Sequence, residues 1–264
     1  MSRLIVITGA SAGIGQAAAR RLAAPDTRLI LLGRDERRLA AIAAELPNAT
    51  PIRADFADLT QVRAAATEIR ATCDHIDVLI NNAGGLYRGP RSLTVNHLAG
   101  FVLAHELLDH LRAAGTSRLI TTASLAEAWG VLDVDAPLRN SLWHRARWLA
   151  YGSSKQANLL FTLEAARRWT PHGVLPTAFL PGLVRSRFAS SSPLFMLGKL
   201  IPVLFTSPER AAGTLQWLAD APARDLTPGG YYFLREPFPA TPRSTSPARA
   251  ARLWDASLAA AGFT

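Results

Sequence analysis

Hydrophobic positions along the chain fall into two alternating patterns. Short runs of aliphatic residues stand at 4–8, 29–32, 77–80, 118–122 and 174–180, too uniformly apolar for strands with one wet face. Between them, longer segments at 14–24, 35–46, 59–72, 95–113 and 151–169 carry helical patterns. Strands buried on both faces and separated by helices predict a parallel sheet joined by right-handed crossovers. The expected fold class is α/β, a doubly wound parallel sheet in three layers (α/β/α) with its ligand crevice at the strands' carboxyl ends. No internal repeat appears. A Pro-rich connection at 236–247 leads into a last amphipathic helix at 248–260, so one domain over residues 1–264 is expected.

Composition narrows the classes. With 264 residues, 49% of them hydrophobic, the chain is neither disordered nor collagen-like. Its single cysteine, Cys73, excludes a disulfide framework and a cysteine-based zinc cluster. The six histidines lack the spacing of metal ligands, and no metal site is expected. The opening Met1-Ser2-Arg3 and the run 4–7 are too short for a secretory signal. The longest later apolar stretch, 194–205, contains Gly198, Lys199 and Pro202 and falls short of the ~20 residues that span a bilayer. A cytoplasmic location is the expectation. Net charge is +9, yet among 29 basic residues only Lys155 and Lys199 are lysines. Such a charge suits nucleic acid, an anionic membrane or a phosphorylated ligand. No basic run exceeds two residues and none is interleaved with aromatics, which argues against nucleic acid.

The first strand empties into Thr8-Gly9-Ala10-Ser11-Ala12-Gly13-Ile14-Gly15 and then a helix. Glycines at this turn let the backbone approach a pyrophosphate, whose charge sits on the free N–H groups of the helix start. The second strand ends in Gly33-Arg34. A guanidinium here matches a ribose 2′-phosphate, whereas a 2′-hydroxyl is normally met by a carboxylate. NADP(H) is therefore favoured over NAD(H), with Arg37 or Arg38 as helpers and Asp35 near a helix N-cap. Asp55 and Phe56 follow the third strand, Asp55 within reach of an adenine amino group. Asn81-Asn82-Ala83-Gly84 follow the fourth, where a glycine admits the cofactor and the amides brace the strands.

Tyr151-Gly152-Ser153-Ser154-Lys155 sets a phenol and an ammonium at i and i+4, on one face of a helix. A positive charge about 4 Å from the phenol contributes roughly 4 kcal/mol at an effective dielectric of about 20. That would bring a tyrosine from about 10 toward 7, where acid–base catalysis works best.

Taken together, Thr8 to Gly15, Asn81 to Gly84, Asn96, Ser124, Tyr151-x3-Lys155 and Pro181-Gly182 resemble the short-chain dehydrogenases/reductases, in order and in placement at strand ends. Asn96-His97-Leu98, the run Ser154 to Phe161, Pro181 to Arg185 and Arg252-Leu253-Trp254 look like the retinol-dehydrogenase-like branch. So do the 26 residues between Ser124 and Tyr151. The resemblance implies a Rossmann-like fold and hydride transfer with NADP(H). Tyr151 would be general acid/base. Lys155 would lower its pKa and hold the nicotinamide ribose, Ser124 would bind the substrate oxygen, and Asn96 would hold a water of a proton relay. Pro181, Gly182, Val184 and Ser186 would line the nicotinamide. The helices 95–113 and 151–169 would form the family's usual dimer contact, which leaves a homodimer open.

Two departures bear on function. Ala12 stands where some NADP-selective members place a basic residue. Only 11 residues separate Gly84 from Asn96, about half the branch's usual length by our estimate, which suggests a more open substrate mouth and puts the placement of Asn96 in question. A catalytically silent NADP(H)-binding sensor or interaction protein is the alternative to an enzyme. The apolar connection 183–206 reads as a substrate lid for a small lipophilic alcohol, aldehyde or ketone. Packing of a lid helix against the core and a peripheral membrane patch are its other readings.

Overall fold

The computed structural model describes residues 2–184 and 205–263. Strands β1 (Arg3–Thr8), β2 (Thr27–Gly33), β3 (Ala49–Arg53), β4 (Val78–Asn81), β5 (Ser117–Thr122) and β6 (Val174–Phe179) run parallel. At the far edge β9 (Tyr231–Phe233) adds in parallel to β6, and β10 (Glu236–Pro237) pairs with it antiparallel. The strand order is β10-β9-β6-β5-β4-β1-β2-β3. The order reverses between β1 and β4, and there the crevice opens.

The uniform apolar strands have a direct physical reason. In β1, Leu4 and Val6 face one core layer and Ile5 and Ile7 the other; in β2, Ile30 and Leu32 oppose Leu29 and Leu31 in the same way. One layer is closed by α3 (Leu59–Arg70), α5 (Ala99–Glu106) and α7 (Arg147–Trp169). The other is closed by α1 (Gly13–Leu22), α2 (Glu36–Glu45) and a helix at Pro208–Asp220. That last helix is absent from the segments predicted above. Its start is nevertheless written locally: Ser207 accepts from Arg210 N at 3.2 Å, and Pro208 occupies the first turn.

The expected helix 95–113 is divided into three pieces and preceded by a fourth. A short turn of helix α4 (Pro90–Leu93) runs into a π-helical turn at Thr94–Leu98, then α5, then α6 (Leu108–Ala113). The helix expected at 151–169 begins a turn earlier, at Arg147, and the C-terminal helix spans Pro247–Ala261. Of the expected lid, the ends are described: Leu183–Val184 (β7) pairs with Phe205–Thr206 (β8). Ser186 and Lys199 lie outside the described residues. No described helix is long and apolar enough to cross a membrane.

Candidate active site

Every polar group of the site hangs from a strand end or the helix that follows it. At the end of β1, Thr8 Oγ1 donates to Ile80 O at 3.1 Å and accepts from the backbone N–H groups of Asn82 and Ala83, both at 2.9 Å. Asn82 Nδ2 donates to Thr8 O at 3.0 Å, and its Oδ1 accepts from Thr122 Oγ1 at 3.3 Å. Asn81 Nδ2 donates to Gly100 O at 3.1 Å. The two asparagines thus tie β1, β4 and β5 together and fasten the sheet to α5, the bracing anticipated from their position.

The glycine turn fits a dinucleotide. A Cβ on Gly9 would stand 2.9 Å from Ala83 Cα, and one on Gly15 would stand 2.3 Å from Gly9 O, so the turn and α1 close only with glycine there. Gly13, with φ +60°, faces open space instead. Ala12 at the N-cap gives the first N–H groups of α1 no side-chain acceptor, which leaves those donors for an anion. Ile14 follows on this first turn. Ser11 Oγ lies against Gly33, where a Cβ would meet it at 3.3 Å, and so faces the end of β2. Beyond Gly33, Arg34 is exposed. Asp35 caps α2 by accepting from Arg38 N at 3.1 Å and pairs with Arg38 Nε at 3.2 Å. At the end of β3, Asp55 accepts from Ala57 N at 3.0 Å, and Phe56 is buried in the core.

Tyr151 and Lys155 are buried on the first turns of α7. The Tyr151 phenol stands beside Ser124, whose side chain favours its ionisation; Ser124 follows β5 and accepts from Ala126 N at 3.2 Å. Lys155 Nζ donates to Thr122 O at 2.9 Å and lies 5.4 Å from the centre of the Tyr151 ring. Asn158 Nδ2 reaches the same carbonyl at 3.0 Å. Asn96 sits in the π turn. Its Oδ1 accepts from Gly85 N at 2.7 Å, and its Nδ2 donates to Gly85 O and Ser154 Oγ, both at 2.9 Å. A Cβ on Gly84 would stand 3.1 Å from Asn96 Oδ1 and 3.8 Å from Lys155 Nζ. The short segment after Gly84 therefore still returns Asn96 beside Lys155, because the wider π turn lets its side chain reach the Gly85 backbone. Gly182, at φ +77°, follows β6 and Pro181.

Electrostatics depart from the simple pair. Burial pushes Tyr151 up to about 12, with the Ser124 side chain working against it, and burial brings Lys155 down to about 7. The ammonium is satisfied by a strand carbonyl, and desolvation outweighs its pull on the phenol.

Two supporting groups are not among the residues the sequence singles out. Glu127, in the turn after Ser124, is buried and accepts from Thr241 N at 3.0 Å, Thr241 Oγ1 at 2.7 Å and Ser244 Oγ. Gly130 and Gly152 touch backbone to backbone, and a Cβ on Gly152 would stand 2.5 Å from Ala126 O. A buried acid flanked by alanines and a glycine following the tyrosine were the only signals.

Residues 3–136 match the family model for short chain dehydrogenases. The chain belongs to the short-chain dehydrogenase family of oxidoreductases. Within that family it stands in the retinol-dehydrogenase-like branch. A protein of Streptomyces sp. (strain C5) named as a daunorubicin C-13 ketoreductase is 41% identical, over 99% of this chain and 93% of its own length. Retinol dehydrogenase 13 of Mus musculus is 32% identical, over 99% and 84% respectively. A gluconate 5-dehydrogenase from Burkholderia cenocepacia J2315, solved with NADP and tartrate, superposes with TM-score 0.71 at 26% identity, covering 88% of this chain and 92% of its own.

Proposed function

We propose that the protein is an NADP(H)-dependent oxidoreductase that interconverts a lipophilic alcohol and its aldehyde or ketone. The observation that carries this reading is the placing of Ser124 beside the buried Tyr151, with buried Lys155 and Asn96 behind them. NADP bound to the gluconate 5-dehydrogenase supports the cofactor, as do the open N–H groups of α1 and the exposed Arg34 beyond β2. The ketoreductase and retinol dehydrogenase names of the relatives support a lipophilic carbonyl or alcohol.

When bound, NADP(H) supplies or accepts the hydride at the carbonyl carbon. In reduction Tyr151 Oη gives its proton to the oxygen as the C–H bond forms. Ser124 Oγ hydrogen-bonds that oxygen and stabilises its growing charge. Lys155 would hold the ribose hydroxyls of the bound cofactor and, on the Asn96 side of the cleft, would return a proton to Tyr151. Oxidation of the alcohol runs the same proton path in reverse.

Steady-state assay of aldehydes and ketones with NADPH tests the reading, with Tyr151→Phe as the control. Turnover that falls on the order of 10²-fold or more in Tyr151→Phe supports it. Binding of NADPH with no turnover of any carbonyl or alcohol would leave the sensor in its place. Arg34→Ala should raise the Kd for NADPH by about tenfold and leave that for NADH nearly unchanged; equal effects would refute the phosphate contact.

A further inference from the structure

Two aromatic groups stand beside the Ser124–Tyr151 pair with no part in the proton transfer. Trp148 lies one helical turn before Tyr151, on the same face of α7. Its ring is perpendicular to the phenol, at 88° and 6.2 Å between centroids, and half-buried. From the sheet edge, Tyr231 packs into the cluster formed by Ala123, Leu159, Ala178 and Leu180, with half-buried Leu125 and Phe238 against it. Phe238 meets Tyr231 edge-on at 5.6 Å.

Tyr231 is 7% exposed, and its hydroxyl has no hydrogen-bond partner among the described residues. A phenol buried and unpaired costs stability, so a group that completes it is expected in this wall. Burial, together with the charges of Glu127 and Tyr151, pushes its ionisation up, which keeps the hydroxyl a donor across the working pH range.

We propose that Trp148, Phe238 and Tyr231 form a substrate subsite for a planar, oxygenated aromatic ring system whose reducible carbonyl lies at Ser124 and Tyr151. The indole and the phenyl ring hold the ring system by stacking or edge contact. The Tyr231 hydroxyl donates to a second oxygen on it. This rests on the oxidoreductase reading above and adds to it the class of substrate.

The test compares 1-tetralone with 1-decalone, its saturated counterpart, and with 5-hydroxy-1-tetralone, using NADPH. Trp148→Ala should lower the kcat/KM preference for 1-tetralone over 1-decalone by about tenfold, and Trp148→Phe should restore most of it. Tyr231→Phe should lower the preference for the hydroxylated tetralone by about fivefold. Preferences unchanged in Trp148→Ala overturn the subsite while leaving the reductase intact. If the wild type reduces none of these ketones, it is the reductase reading that fails for them, and calorimetric binding of 5-hydroxy-1-tetralone then decides the subsite. Affinity about tenfold weaker in Trp148→Ala supports it, and equal affinity overturns it.

Discussion

Lys155 is 3% exposed and spends its ammonium on a strand carbonyl, Thr122 O, rather than on a carboxylate. With no anion beside it among the described residues, burial brings it down to about 7. Tyr151, pushed up to about 12, remains protonated far above that. If the lysine charge drives the reduction, kcat/KM for a carbonyl falls as pH rises through about 7, and the tyrosine adds no inflection below about 12. The profile of kcat/KM reads the free enzyme, the state described here. Lys155→Met should abolish the inflection and cost on the order of 10²-fold; a wild-type profile flat to pH 10 would contradict the assignment. The spacing of Tyr151 and Lys155 in the sequence placed both groups on one helix face. It gave no view of the carbonyl at the end of β5, because a backbone acceptor leaves no residue type to read. The same limit hid Glu127, whose partners Thr241 and Ser244 lie more than a hundred positions away.

The uniform strands and the glycine turn revealed the central elements, since burial on two faces writes itself into consecutive residues. Edge elements leave no uniform apolar run: β3 carries Thr50 and exposed Pro51 and Arg53, while β9 and β10 are two or three residues long. The π turn is invisible to periodicity because one widened turn keeps the same residue types. What sets the distance from Ser124 to Tyr151 is the contact between Gly130 and Gly152, reinforced by Ser153 Oγ, which accepts from Val131 N at 2.9 Å and donates to Leu149 O at 2.9 Å. Gly152→Ala would push its methyl against Ala126 O and Gly130, all backbone and unable to yield cheaply. Thermal unfolding should show a loss of about 1–3 kcal/mol, and kcat should fall roughly ten- to a hundredfold as the Ser124 turn moves off the phenol. Unchanged melting with full kcat would show that the contact is not what positions the turn.

At the scale of the molecule, the C-terminal helix closes the face of α5 and α7. Trp254 is buried against Phe101, Phe161, Trp169 and His105, with ring centres 4.9 to 5.9 Å apart, and Arg168 lies over it at 4.8 Å. The helices that the resemblance would offer to a partner subunit are here covered by the chain itself. Light scattering after gel filtration at pH 7.5 should give the 28.4 kDa of one chain; twice that mass would show that the partner binds elsewhere or displaces the helix.

Many of the charges are tied up in local pairs such as Arg3 with Asp220 and Arg70 with Glu106, each worth little at the surface. Acid sensitivity should instead come from beneath the C-terminal helix. His97 lies 3.0 Å from Ser257 Oγ, and His105 stands among the rings around Trp254; burial brings both down to about 4 from 6.5. Between those values the unfolded chain takes up protons that the folded pocket refuses, so stability rises with pH across that window and levels off above it. Each histidine contributes at most roughly 3 kcal/mol to the slope. The melting temperature should therefore drop steadily from pH 6.5 to pH 4.5. His105→Phe, which keeps a ring in the cluster and removes one titrating group, should flatten about half of that fall, and the same slope in both proteins would place the acid sensitivity elsewhere.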